Sequence, residues 1–306
     1  MSETSASLRR KLNSAGDLQS VVRTMKALAA SSIGQYEKSV RALADYYGSV
    51  ELGLSVCFRE SQPARLRAGR KGQCGSVSAV IFGSDQGLVG RFNEVVVDFA
   101  LQRLTSLPGQ HEVWAVGERA HARLADSGLA VRGVFVVPSS VKAIAPLVGQ
   151  ILVDSESGDS QGEAGELHLF YNRPTSGAAY EPVAQRLLPL DEKWRGQLAE
   201  LPWPAGNLPE IIGDGAATLR ALIREYLFVS LFRACAESLA SENASRLAAM
   251  ERADTNIGDL LESLRGDFHR LRQSGIDEEL FDVVSGFDAL AEDAGIKKLS
   301  KRAKVK

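Results

Sequence analysis

Residues 8–54 read LRRKLNSAGDLQSVVRTMKALAASSIGQYEKSVRALADYYGSVELGL, with an apolar or small side chain at every third or fourth position. This spacing places those side chains along one face of an α-helix. A continuous helix of about 47 residues would be roughly 70 Å long, well beyond the ordinary helix of a globular domain, so the stretch predicts one arm of a coiled coil. The predicted seam consists of Leu8, Leu12, Ala15, Leu18, Val22, Met25, Ala29, Ile33, Tyr36, Val40, Leu43, Tyr47, Val50 and Leu54.

The distribution of proline indicates a second long helix near the other end of the chain. All 10 prolines lie between Pro63 and Pro209. Proline removes a backbone donor and clashes with the preceding helical turn, so the proline-free flanks fit two extended terminal helices. We expect an N-terminal coiled-coil helix over residues 1–62, a globular domain with its connectors over 63–209, a C-terminal coiled-coil helix over 210–290 and a basic tail over 291–306.

The C-terminal part of the chain carries its own helical stripe, in which Asp254 is the one charged member. The antiparallel pairing of this helix with the first is the simplest arrangement, although the periodicity fits the core of an ordinary helical bundle equally well. The stripe consists of Leu247, Met250, Asp254, Ile257, Leu261, Leu264, Phe268 and Leu271, continued by Leu280, Val284 and Phe287.

The central part of the chain alternates strand and helix patterns, which indicates a parallel sheet of Rossmann-like character. The expected fold class is therefore α/β: an antiparallel two-helix coiled coil of the N- and C-terminal helices, with a central Rossmann-like α/β domain. Residues 194–209, which contain Pro202, Pro204 and Pro209, predict an extended connector. The predicted strands are residues 77–82, 111–116, 131–138 and 166–172, and the predicted helices are 93–105, 117–128 and 141–154.

Composition excludes several classes of protein. The chain has 306 residues and a formal net charge of -2, which argues against a dedicated nucleic-acid binder. Three scattered cysteines do not make a disulfide framework and fit a reducing compartment. The first residues lack the apolar stretch of a signal peptide, and no run is apolar enough to span a bilayer. We therefore expect any membrane association to depend on a partner.

The turn GSDQGLVG, residues 83–90, follows a strand and precedes a helix, where a phosphate could bind. It lacks the Lys-Ser/Thr pair of a P-loop and the full three-glycine dinucleotide fingerprint. Asp85 in this turn could accept backbone hydrogen bonds or meet a basic partner. The histidines and cysteines show no metal-ligand or nucleophile spacing. We expect no catalytic residue, cofactor or metal ion.

Two further functions are compatible with the residues alone. One is a Rossmann-like enzyme that dimerises through helical arms, and the other is a coiled-coil scaffold that binds acidic partners through its tail. The second would use basic clusters at residues 65–71 and 297–306, which are otherwise ordinary solvated segments.

Four segments together resemble the gamma subunit of F-type ATP synthases. VVRTMKALAASS (21–32) is similar to the family's segment around an A-M-x-x-V-A-A-S core, and SDQGLVGRFN (84–93) to its D-R-G-L-C-G-x-x-N loop. SENASRLAAMERADTNIGDLLESL (241–264) and RQSGIDEELFDVVSG (272–286) resemble its C-terminal signature in residues and order.

The resemblance implies a central rotor stalk with no catalytic residue of its own. Its coiled coil would lie inside a ring of three alpha and three beta subunits, and its globular foot would bind an epsilon subunit and a membrane ring of c subunits. Ion flow through the membrane sector would turn this shaft and drive ATP synthesis, or the reverse. The resemblance also implies a peripheral position on the cytoplasmic side of the bacterial inner membrane.

Individual positions match the family's contact residues. Arg23 and Met25 match positions that face a beta-subunit loop. Arg272, Gln273 and Glu279 match positions where polar contacts grip the hexamer, and Asp85, Gln86 and Asn93 match the foot loop.

The sequence also departs from the family pattern. Gln86 replaces the loop arginine, Val89 the cysteine, Arg91 a small residue and Ser32 a lysine, while residues 291–306 extend past the usual end. These departures suggest a divergent gamma subunit, as from a secondary bacterial ATPase.

Overall fold

The computed structural model describes residues 4–60, 76–157, 165–175, 179–207 and 209–303, with side chains up to residue 286. The basic cluster at residues 65–71 lies outside these ranges. The elements are α1 (Ser5–Glu60), β1 (Val77–Phe82), α2 (Phe92–Thr105), β2 (His111–Val116), α3 (Glu118–Asp126), β3 (Val131–Phe135), α4 (Val141–Ser157), β4 (Glu166–Pro174), β5 (Tyr180–Leu188), α5 (Glu192–Ala199) and α6 (Gly215–Ala303).

The five strands form one sheet in the order β3-β2-β1-β4-β5. β1 pairs in parallel with β2 and β4, and β2 with β3. The parallel sheet predicted from four strands is confirmed, and a fifth strand, β5, is added at one edge, antiparallel to β4. β5 was not predicted from the sequence because it contains Pro182. An edge strand tolerates proline, since one of its sides needs no ladder hydrogen bond.

A short helix replaces part of the predicted connector. α5 occupies Glu192–Ala199, so the prediction of extended chain is wrong over residues 194–199. Asp191 caps the helix by accepting a hydrogen bond from the backbone N–H of Lys193 at 3.0 Å. The ring of Trp194 packs on that of Tyr226, with centroids 4.7 Å apart. This aromatic contact holds α5 against α6.

The chain divides into two compact units, the first comprising Met1–Thr24 with Glu251–Lys306 and the second Met25–Met250. In the second unit, helices cover both faces of the sheet. Val96, Ala100 and Leu124 of α2 and α3 pack on one face. The other face lies against α4 and the long helices, with Ile144 and Leu231 in its core.

Within each unit the two long helices run antiparallel. In the first unit Arg23 contacts Asp254, and Gln19 lies beside Gly258. In the second unit the ring of Tyr47 lies 6.1 Å from that of Tyr226 at a tilt of 42°, and Gly53 lies against Leu222 further along. In both, increasing numbers on α1 meet decreasing numbers on α6. The predicted coiled coil is confirmed.

From Leu8 to Tyr36, the buried positions of α1 are seven residues apart. Their spacing corrects one member of the predicted seam, because the alternate heptad position after Leu12 falls on Gln19 and not on Leu18. Leu18 is 54% exposed, and Met25 is only partly buried. The buried residues at seven-residue spacing are Leu8, Ala15, Val22, Ala29, Tyr36, Val50 and Cys57.

Candidate partner-binding surfaces

Arg23 is held in place by a seam residue of the partner helix. Its Nε donates to Oδ1 of Asp254 at 3.2 Å, and Nε2 of Gln19 donates to the same oxygen at 3.1 Å. The Arg23 side chain is 63% exposed, whereas that of Asp254 is 23% exposed. The bond to Nε leaves the two terminal amino groups of Arg23 on the exposed side, where they are suited to a planar carboxylate.

Met25, the second predicted contact on α1, belongs to the other compact unit and is partly buried. A flexible thioether side chain in that position can pack in the seam and still present apolar surface. The structure therefore leaves Met25 available for contact without separating it from its helix partner.

The predicted hexamer contacts on α6 lie where the helical pair ends. Leu271 is partly buried, while Arg272, Gln273 and Glu279 are exposed. Among the described side chains, none forms a hydrogen bond or ion pair with these three. Within the part of the chain that the structure describes, they form an exposed polar surface on α6.

The predicted continuation of the apolar stripe into this end of α6 is wrong. Leu280 and Val284 are exposed and do not pack on α1, and the Phe287 side chain lies outside the described residues. The exposed apolar side chains of this segment are Ile276, Leu280, Phe281, Val283 and Val284.

In the foot loop, Asp85 is used within the fold. Its Oδ1 accepts a hydrogen bond from the backbone N–H of Glu118 at 3.1 Å, and its Oδ2 accepts one from that of Val137 at 3.0 Å. One carboxylate thus joins the loop after β1 to the start of α3 and to the segment after β3. Of the two roles left open for Asp85, the structure shows the acceptance of backbone hydrogen bonds.

Asn93 fixes the same loop from its other end. Its Oδ1 accepts from the backbone N–H of Ser84 at 2.9 Å, and its Nδ2 donates to Ser84 Oγ at 2.8 Å. Ser84 Oγ in turn donates to the carbonyl of Gln86 at 2.8 Å. The side chain of Gln86 is exposed, and Leu88 is exposed at a φ of 63°. The loop therefore presents Gln86 and Leu88 outward from a fixed backbone.

Some functional residues were not found by sequence reasoning. Gln19 was overlooked because the seam was read through Leu18, although a step of seven residues from Leu12 reaches Gln19. Ser84 has no distinctive sequence signal, since its role depends on the return of α2 to the loop.

Among the described residues, no group of three or more His, Cys, Asp or Glu is placed to hold a metal ion. None of the described helices has a stretch long and apolar enough to cross a membrane.

A family model described as ATP synthase matches residues 4–290 of the chain. The chain belongs to the ATP synthase gamma-chain family. The identification made from sequence segments is confirmed, and this gamma chain is the central rotor stalk subunit of an F-type ATP synthase. That function supersedes the enzyme and scaffold alternatives.

Curated relatives and solved structures agree with this family. The ATP synthase gamma chain of Paracoccus denitrificans is 29% identical, over 92% of this chain and 98% of that one. The Salinibacter ruber gamma chain is 27% identical, over 93% and 97%.

Two solved structures share the fold of this gamma chain. A chain of the Euglena gracilis mitochondrial ATP synthase aligns with a TM-score of 0.60 at 16% identity, over 92% of this chain and 93% of that one. A chain of the Tetrahymena thermophila central stalk aligns with a TM-score of 0.56 at 21% identity, over 76% and 99%.

Proposed function

We propose that the chain is the rotating shaft between a ring of three alpha and three beta subunits and a membrane ring of c subunits, with an epsilon subunit on its globular domain. Family membership supports this assembly. The observation that carries it is the end of α6, where five apolar side chains are exposed among the residues that the structure describes. Apolar surface of this kind requires a cover from another protein.

In this proposal, the residues predicted from the sequence make the contacts that transmit rotation. Arg272, Gln273 and Glu279 would grip the hexamer, and Arg23 and Met25 would meet a beta-subunit loop. A shaft orientation that contacts one beta conformation more favourably shifts that subunit's nucleotide affinity, and nucleotide turnover reciprocally favours a new orientation.

The foot loop has two kinds of residue in this proposal. Gln86 is exposed and would make a partner contact directly. Asp85 and Asn93 are engaged in hydrogen bonds within the loop and would act by holding it in shape. We propose a peripheral position on the cytoplasmic side of the bacterial inner membrane, reached through partners alone and without nucleic acid.

Co-expression with the cognate alpha and beta subunits tests the shaft assignment. Native mass measurement should show three alpha and three beta subunits with one copy of this chain, and ATPase activity should depend on it. Stable hexamers that never retain the chain would contradict the proposal.

A variant pair tests the contact residues. The double variant Arg272→Ala/Gln273→Ala should have about ten-fold lower ATPase activity in the assembled complex, because it loses a few charge-assisted contacts with the hexamer. Arg186→Ala, an exposed arginine on β5, is the control and should leave activity unchanged. Equal activities in the two variants would remove Arg272 and Gln273 from the proposed contact surface.

A further inference from the structure

At the carboxyl ends of β1 and β4, the sheet has a point where the strand order reverses, and the chain itself occupies this point. β1 and β4 are parallel neighbours, yet the chain passes through β2 and β3 on one side of β1 before it returns to β4 on the other. In open α/β sheets this reversal of strand order is where ligands usually bind, just outside the strand ends.

Here one turn of α6 takes that place. Ser245 Oγ donates a hydrogen bond to the carbonyl of Val89, in the loop after β1. Ser241 Oγ donates to the carbonyl of Asn172, near the end of β4, at 3.0 Å. Asn172 Nδ2 donates to the carbonyl of Phe92, at the start of α2, at 3.0 Å. We call these three side chains, Ser241, Ser245 and Asn172, the α6 joint.

All three side chains of the α6 joint are buried. Inside a protein a hydrogen bond is stronger than in water, and a buried polar group without a partner is costly. Ser241 and Ser245 are four residues apart, so they lie on the same face of α6 and grip two different segments of the domain.

The segments they grip are themselves rigidly connected. The loop that contains Val89 is fixed by the Ser84–Asn93 hydrogen bonds and by Asp85, whose carboxylate also binds the backbone of Glu118 and Val137. A force applied to α6 at Ser245 therefore reaches the ends of several strands and the start of α3.

Apolar packing turns one face of α6 toward the domain, and directional bonds define its angle more sharply. Leu231 and Leu239 bury α6 in the domain core, which opposes separation. Hydrophobic contact is non-directional, whereas a hydrogen bond weakens steeply away from linearity. The α6 joint adds directional bonds to this attachment, beside the bond at 3.4 Å from Nε of Arg173 on β4 to Oε2 of Glu237 on α6.

We propose that Ser241 and Ser245 are positioning residues that lock the rotation of α6 to the globular domain, so that torque passes between the shaft helix and the foot. This proposal rests on the proposed function as a rotor shaft. In this proposal residues 241–245 have a mechanical role. The position at the sheet edge where other open α/β proteins bind a ligand is occupied here by a turn of α6.

The chain offers a matched control for this role. Ser238 lies one turn earlier on α6 and is also buried, but its Oγ has no hydrogen-bond partner among the described residues. Ser238→Ala removes the same atom from the same helix without breaking the attachment.

The test uses the whole ATP synthase reconstituted in lipid vesicles. The double variant Ser241→Ala/Ser245→Ala should lower the number of ions pumped per ATP hydrolysed about two-fold or more. It loses the two hydrogen bonds by which α6 is held at a fixed angle on the globular domain. The angular fluctuation of a probe on the globular domain, measured against the immobilised hexamer, should widen. The Ser238→Ala enzyme should match the wild type in both readouts.

The outcomes separate the two proposals. Failure of the wild-type chain to assemble or to support ATPase activity would refute the shaft function itself. Assembly and activity with an unchanged coupling ratio and fluctuation in the double variant would overturn the joint alone. If the double variant does not assemble, the single variants Ser241→Ala and Ser245→Ala are measured in the same way. An unchanged coupling ratio and fluctuation in both would overturn the joint.

Discussion

Arg23 and Asp254 join the two long helices across the seam of the first unit, with Nε and Oδ1 3.2 Å apart. Asp254 lies between Met250 and Ile257 on a stripe that is otherwise apolar, and Gln19 donates to the same carboxylate oxygen. A polar group at one seam position favours the register in which it finds its partners. The pair therefore fixes how α1 and α6 align and orients an arginine that faces outward.

The energetic coupling of this pair should be small and sensitive to salt. Arg23 is mostly exposed, so a double-mutant cycle of Arg23→Ala and Asp254→Ala should give a coupling energy of about 0.5–1 kcal/mol in the free energy of unfolding. Urea unfolding followed by helical circular dichroism would measure it. A coupling that did not decrease at about 1 M NaCl would contradict an ion pair in partial contact with solvent.

Adjacent valines on α1 test the heptad register. Val22 is 6% exposed and Val21 is 55% exposed. Val22→Ala should lower the free energy of unfolding by about 1–2 kcal/mol through lost burial, whereas Val21→Ala should leave it within about 0.5 kcal/mol. Because alanine favours the helix equally at both sites, the difference reports seam packing. Equal losses would place the seam on another face.

Glycines with positive φ predict another contrast. Gly117 has a φ of 104°, and a Cβ there would approach the backbone of Ser84 to 2.7 Å. Gly128 has a φ of 80° but open space around it. Gly117→Ala should cost more than about 3 kcal/mol of unfolding free energy and Gly128→Ala about 1 kcal/mol. Thermal unfolding of the isolated chain compares them, and similar melting temperatures would contradict a close approach at Gly117.

The sequence predicted the elements whose periodicity is repeated many times. α1 and α6 have long apolar stripes, and β1, β2 and β4 are short segments rich in apolar residues, so all five could be placed closely. β5 and α5 could not, because an edge strand with a proline and a two-turn helix carry little periodic signal. Leu18 was misplaced because apolar character was weighed above heptad position.

The contact residues divide in a similar way. Resemblance identified the positions on α1 and α6, and the structure shows several of them exposed. The roles of Asp85 and Asn93 within the loop could not be predicted, since their hydrogen-bond partners belong to segments that only the fold brings together.

Glu242 is a buried acid whose protonation should affect stability. Its side chain is 6% exposed and pairs with Arg246 at 2.6 Å. Burial raises the pKa of Glu242 and the charge of Asp85 adds to this effect, while Arg246 opposes it. The neighbouring Tyr36 also has a raised pKa, through burial and the charge of Glu242.

A raised pKa in an acid makes folding favour the protonated form. Above the ordinary pKa of 4.5 the unfolded chain releases the proton of Glu242 while the folded chain still holds it, so this group's contribution to stability falls as pH rises toward the folded-state pKa. Glu242→Gln should lack that fall, so the variant should gain on the wild type as pH increases. Urea unfolding at several pH values would measure the difference. If the wild type instead gained on the variant with rising pH, Arg246 would outweigh burial and the pKa of Glu242 would be lowered.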